Sequence, residues 1–100
     1  SDFIGSSDKR LKKEIKSLKV TEIKSVYKNF VLKADKTNQK RTGVIAQELE
    51  LNHPEFVRTD EKGMKSVSYS DLHSAEIAYL KAKNKELENK LELIMNKLGI

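Results

Sequence analysis

The sequence predicts an α+β chain. A small mixed section over residues 7–68 carries two short strand pairs and short helices, and a long helix over residues 69–100 associates with other copies in a parallel bundle. Three observations lead there. From Tyr69 to Leu98 the apolar residues recur in alternating steps of three and four, the heptad pattern of a helix that buries a narrow seam against another helix. Between Phe30 and Tyr69, short β-rich runs alternate with polar turns, which marks hairpins. With 37% apolar and 35% charged residues among 100, the chain has little to bury in one globule, so association supplies what the core lacks.

Taken in order, Ser1–Ser6 reads as a loop or as the end of an upstream region, because Gly5 and its serines leave no periodic apolar face. The run Ser7-Asp8-Lys9-Arg10-Leu11-Lys12-Lys13 then sets a hydroxyl, a carboxylate and four cations within seven residues. As structure, Ser7 or Asp8 caps a helix or turn and Leu11, Ile15 and Leu18 form its inward stripe. As chemistry, Ser7 is a nucleophile with Lys12 as its base. A serine hydroxyl needs a group to take its proton, and a lysine can do so only when neutral, a state that desolvation or the neighbouring Lys9, Arg10 and Lys13 promote. Five positions do not stack two side chains on one helix face, so the pair requires a turn after Ser7 or contributions from different chains.

Thr21–Lys28 reads as a short helix with Ile23, Val26 and Tyr27 in helical spacing, and Phe30–Lys33 as a strand. A polar turn over Asp35–Thr42 leads to Gly43. Val44–Leu51 is helical in its later part, with Ile45 and Leu49 on one face, and Pro54 ends it. Phe56–Arg58 and Met64–Tyr69 are paired strands about a turn at Thr59–Gly63. Ser70 or Asp71 caps the long helix. With Ile77 at position a, the seam runs through Leu80, Asn84, Leu87, Leu91, Ile94 and Leu98, and Asn84 is placed to fix register. Glu76 facing Lys81, and Lys83 facing Glu88, of a neighbouring copy would favour a parallel pairing; the heptads alone allow two or three chains.

The formal charge of +5 permits an anionic partner, but the lysines are spread along the chain and mixed with glutamates after Lys81, the pattern of a solvated helix, which argues against nucleic acid. Two histidines and no cysteine make neither a thiolate metal site nor a disulfide, and no cofactor is expected. No apolar run reaches the roughly 20 residues that cross a bilayer, and Ser1–Ser7 carries no signal-peptide pattern.

Three ordered motifs carry a family resemblance. Ser7-Asp8-Lys9-Arg10-Leu11-Lys12, then Gly43-Val44-Ile45-Ala46-Gln47-Glu48-Leu49 with Pro54-Glu55-Phe56-Val57, then Gly63–Leu72 leading into the helix, together resemble the C-terminal intramolecular chaperone and auto-processing domain of phage tailspikes, tail fibres, neck appendages and endosialidases. The resemblance implies a homotrimer that helps an upstream β-rich domain of the same precursor to fold in the host cytoplasm during virion assembly. It implies single-turnover self-cleavage between Ser6 and Ser7, with Ser7 as nucleophile and Lys12 as general base. Asp8 and Arg10 would orient the pair, and Gly43, Gln47 and Glu48 would form architecture near it. Two other readings use the same residues. One is a trimerisation module that does not cut. The other is a basic anion or nucleic-acid binder built on Lys9, Arg10, Lys12, Lys13, Lys16 and Lys19. The cluster also suits a phosphate or nucleotide ligand, although no glycine-rich phosphate loop supports one.

Overall fold

The computed structural model describes residues 5–100. Two small antiparallel hairpins and a short helix pack against the first turns of one long helix. Strand β1 (Lys28–Phe30) pairs with β2 (Arg41–Gly43), Lys28 opposite Gly43 and Phe30 opposite Arg41. Helix α1 (Ala46–Glu50) and a 3-10 turn at Pro54–Phe56 follow. Strand β3 (Val57–Thr59) pairs with β4 (Lys65–Val67), and α2 spans Tyr69–Leu98.

The two hairpins differ in how they turn. In the second, the Asp60 carboxylate accepts the amides of Lys62 and Met64, both at 2.9 Å. Gly63 supplies the left-handed residue, φ 82°, that closes the turn without a Cβ penalty. The first hairpin closes through a longer loop in which the Asp35 carboxylate accepts the Thr37 amide and hydroxyl. Those bonds hold the Asp35 carboxyl below its ordinary range.

The core is small. Val44, Leu49, Phe56, Val57 and Leu72 are buried, with Ile23, Ala46, Val67 and Ala75 packed around them, so each element contributes one or two side chains and α2 provides the wall. Leu72 is fully buried, Ala75 lies against the core, and Glu76 and Tyr79 are half-buried. These four recur at steps of three, one and three, which is one face of a helix. The Glu76 carboxylate accepts the hydroxyls of Ser25 and Tyr27, clasping the chain ahead of β1 onto α2. Burial, and after it the Glu76 carboxylate, push the Tyr27 phenol up to about 12. The clasp's contribution is therefore complete below the ordinary phenol value near 10 and is lost as pH rises through about 12.

Several expectations are corrected. Thr21–Lys28 is not helical. Its β-branched and aromatic residues resist helix, and tertiary contacts fix its path instead: the Lys24 amide donates to His53 Nε2 at 2.8 Å, while Ser25 and Tyr27 reach Glu76. The stripe of Leu11, Ile15 and Leu18 does not face inward; these side chains are 72%, 65% and 59% exposed. Lysines at 9, 12, 13, 16 and 19 would repel at three- and four-residue spacing on a helix, and Glu14 breaks the path with φ 54°. The first strand lies at Lys28–Phe30 rather than Phe30–Lys33, and Arg41–Gly43 is its partner rather than part of a turn. Ser68, not Ser70 or Asp71, precedes α2, and its hydroxyl donates to the Asp71 carboxylate at 2.8 Å. Glu76, expected as a flank charge toward a neighbouring Lys81, is engaged within its own chain.

The remainder of α2 projects from this body. Ile77, Leu80, Leu87, Leu91, Ile94 and Leu98 are all more than half exposed, and Asn84 is exposed with its amide 3.4 Å from Glu88. At 100° per residue their seam lies roughly a quarter turn from the face that packs on the domain. Glu86 bridges Lys90 and Lys83; the hydrogen bond from Lys90, and after it the charge of Lys83, hold its carboxyl below the ordinary value. Gly99, φ 74°, ends the helix with amides returning to Asn96 and Met95. No described helix is long and apolar enough to cross a membrane.

Leu72→Ala is expected to cost about 2–5 kcal/mol of unfolding free energy by urea titration. Leu93→Ala, at an exposed position off the seam, should cost less than about 0.5 kcal/mol.

Candidate functional site

Ser7 and Lys12 are brought together by a single tight turn. Asp8 caps a 3-10 turn at Lys9–Leu11, its carboxylate accepting the Arg10 amide at 2.8 Å. The Leu11 amide donates to the Asp8 carbonyl at 3.0 Å and the Lys12 amide to the Lys9 carbonyl at 3.1 Å. A 3-10 turn advances faster and winds tighter than an α-turn, and the chain leaves it extended at Lys12. The Lys12 side chain thus folds back along the turn, and Nζ donates to Ser7 Oγ at 2.8 Å. The five-residue spacing that an α-helix cannot use is served by this geometry.

Arg10 reinforces the cap from the side. Its Nε donates to Asp8 Oδ1 at 3.1 Å and its NH2 group to Oδ2 at 2.8 Å, a forked pairing of guanidinium and carboxylate. The Arg10 side-chain bonds, and after them its backbone amide, hold the Asp8 carboxyl below its ordinary value. The same carboxylate raises Arg10 further above its own. Both groups lie at the surface, so the pair contributes direction to the turn more than stability. Residues 5–20 are exposed throughout; the hydroxyl, the amine and the Ser6–Ser7 peptide bond are open to solvent.

The second motif occupies other elements. Gly43 is the buried last residue of β2, and a Cβ there would stand 2.4 Å from the Tyr69 hydroxyl. That hydroxyl accepts the Val44 amide at 3.0 Å, so glycine is needed for close approach of strand and helix rather than for an unusual φ. Glu48, on α1, pairs with Lys28 at 2.7 Å and ties α1 to β1. Gln47 is exposed and lines an open cleft with Phe30, Ser66 and Tyr69. Among the described residues, no hydrogen bond or salt bridge joins Gly43, Gln47 or Glu48 to the Ser7 turn.

Sequence reasoning missed Tyr69, His53 and the intramolecular use of Glu76. His53 is buried, and since Nε2 accepts the Lys24 amide, its ring proton sits on Nδ1, 3.5 Å from Glu55. The available signal was weak: a histidine just before Pro54 in an otherwise polar loop. No group of three or more His, Cys, Asp or Glu among the described residues could hold a metal ion.

Two measurements check this geometry. Arg10→Gln should raise the Asp8 carboxyl titration midpoint, read by NMR, because the guanidinium bonds are the main cause of its depression; the Asp8 contribution is present above the ordinary value of 3.8 and fades as pH falls through the lowered one. Gly43→Ala should lower stability by about 1–3 kcal/mol through overpacking. Part of that loss should return when Tyr69→Phe removes the opposing hydroxyl.

The comparisons with known proteins bear on the same turn. Neither a curated protein nor a solved structure matches the chain. The family model described as the chaperone of endosialidase matches residues 7–58, beginning at Ser7 and ending within β3, so it takes in the Ser7 turn and the Gly43–Leu49 motif, while α2 lies beyond it. With more than half of its residues matched, from the serine of its first motif onward, the chain belongs to the chaperone-of-endosialidase family.

Proposed function

We propose that the chain is an intramolecular chaperone that holds three copies of a phage spike, fibre or appendage together while their upstream β-rich parts fold, and then cuts itself away between Ser6 and Ser7. Membership of the family supports the chaperone role. The observation that carries the cutting is the contact of Lys12 Nζ with Ser7 Oγ at 2.8 Å beside an exposed peptide bond. In this reading residues 1–6 are the cleavage junction, residues 7–68 the processing section and residues 69–100 the association helix; residues 1–4 lie outside the described residues.

The reaction is an acyl transfer followed by hydrolysis. Neutral Lys12 takes the Ser7 hydroxyl proton as Oγ adds to the Ser6 carbonyl carbon. The Ser6–Ser7 C–N bond breaks, the leaving Ser7 amine receives that proton, and an ester between the Ser6 carbonyl and Ser7 Oγ remains. Water then opens the ester to give a Ser6 carboxylate and a chain that starts at Ser7. Asp8 and Arg10 serve as positioning residues, since they hold the turn without touching the reacting atoms.

Coupling to assembly follows from physical need. Trimeric β-structure pairs residues distant in sequence, folds slowly and exposes strand edges on the way. Tying three chains at one end raises their local concentration and removes part of the association cost. Once the tie is cut, the mature trimer cannot dissociate along its assembly path, and its persistence becomes kinetic. The exposed seam from Ile77 to Leu98 supports the tie.

A precursor carrying the natural upstream domain is expected to yield a small product whose N-terminal residue is Ser7. Ser7→Ala and Lys12→Ala should each slow its appearance by about 100-fold or more, with helical content unchanged by circular dichroism. Persistence of wild-type rates in both variants would remove the cutting from this proposal and leave a trimerisation module.

A further inference from the structure

The heptads of α2 do not begin at Ile77. Four residues earlier His73 takes position d, and three before that Ser70 takes position a. His73 is exposed. At 100° per residue it lies along the bare seam and away from Leu72 and Ala75, which close the core. Among the described residues no hydrogen bond engages its ring nitrogens. What touches the ring is aromatic: its centroid is 5.5 Å from that of Tyr69 and 6.3 Å from that of Tyr27, both tilted. Those phenols are occupied elsewhere, Tyr69 with the Val44 amide and Tyr27 with the Glu76 carboxylate. The two rings therefore steady the imidazole and leave its nitrogens free.

Histidine adds little apolar burial at a position where Leu80, Leu87 and Ile94 follow in the same register. In a parallel three-chain bundle the d side chains of all copies point toward one axis, so three His73 rings meet at one level. Three neutral imidazoles are a ligand set that zinc takes in an open site, with the fourth position left to water. The adjoining layers suit such a site. Ser70, toward the start of the helix, is exposed and polar, and Ile77 below gives an apolar floor. One chain cannot build it, since no group of three or more His, Cys, Asp or Glu among the described residues could hold a metal ion. His53 does not compete, because it is buried and its Nε2 accepts the Lys24 amide.

We propose that three His73 side chains, one from each of three copies of this chain, bind a single borderline divalent metal ion such as zinc at the head of the bundle. The inference rests on the three-chain parallel association proposed above and adds a ligand to it. Arg41 lines the groove beside His73 and opposes a cation there; the Glu76 carboxylate, three residues along the same helix, favours one. Metal shared by three chains binds only the assembled form, so it stabilises the bundle by mass action. Because it binds neutral rings, acid releases it.

The test titrates zinc into metal-free chain by calorimetry and reads the oligomer by sedimentation, with EDTA and with zinc. A trimer that takes up one zinc per three chains, and melts at a higher temperature with zinc than with EDTA, is the expected result. His73→Ala should lose both the uptake and the shift in melting temperature. Cobalt in place of zinc should give wild-type trimer the strong visible absorption of a four-coordinate site, a readout that does not depend on how the variant assembles. Trimers that take up no zinc, take it up in another ratio, hold cobalt six-coordinate, or keep their uptake in His73→Ala overturn the inference and leave the bundle standing. Chain that is not trimeric under either condition removes the bundle and the metal site together.

Discussion

The first turns of α2 must serve two surfaces at once, and the rest of the structure follows from that constraint. Leu72 and Ala75 close the core, and Glu76 clasps the preceding chain. A quarter turn away, Ile77 and Leu80 begin a seam that stays bare. Had both surfaces shared one face, the domain would have covered the seam and association would have required unfolding. Because they are separated, the body can fold on one side of the helix while the other remains available. Among the described residues the core holds five buried apolar side chains, and the apolar residues of the last six turns of α2 stay outside it.

The Ser7 turn follows a different logic. It is held by hydrogen bonds between residues seven to twelve and buries nothing. Asp8 is its pivot, satisfying an amide with one oxygen while the forked contact to Arg10 fixes the carboxylate plane. Local construction lets the Ser7 hydroxyl and the Lys12 amine meet at a spacing that regular helix forbids. It also leaves the hydroxyl and the amine exposed, so anything that shields them must come from outside the turn.

Elements with strong local signals were legible in the sequence. The heptads gave α2 its extent, Asp60 and Gly63 marked the second hairpin, and the Ser7–Lys12 spacing pointed to a turn. What failed was everything that tertiary contacts decide. Helical spacing at Ile23, Val26 and Tyr27 lost to His53 and Glu76, residues 29 and roughly 50 positions away, because two or three long-range bonds outweigh the few tenths of a kcal/mol per residue that separate helix formers from β-branched residues. The apolar stripe at Leu11, Ile15 and Leu18 was readable as a pattern, but its face depends on what covers it. Gly43 was visible only as a motif letter; its reason, the Tyr69 hydroxyl, lies across the domain.

The self-contained build of residues seven to twelve carries a consequence for modularity. Among the described residues none of its bonds reaches the core, so a different body joined ahead of Ser7 would meet the same small turn, which asks nothing of that body's shape. A lineage could therefore exchange the body it carries, by recombination at this junction, without redesigning the end that follows.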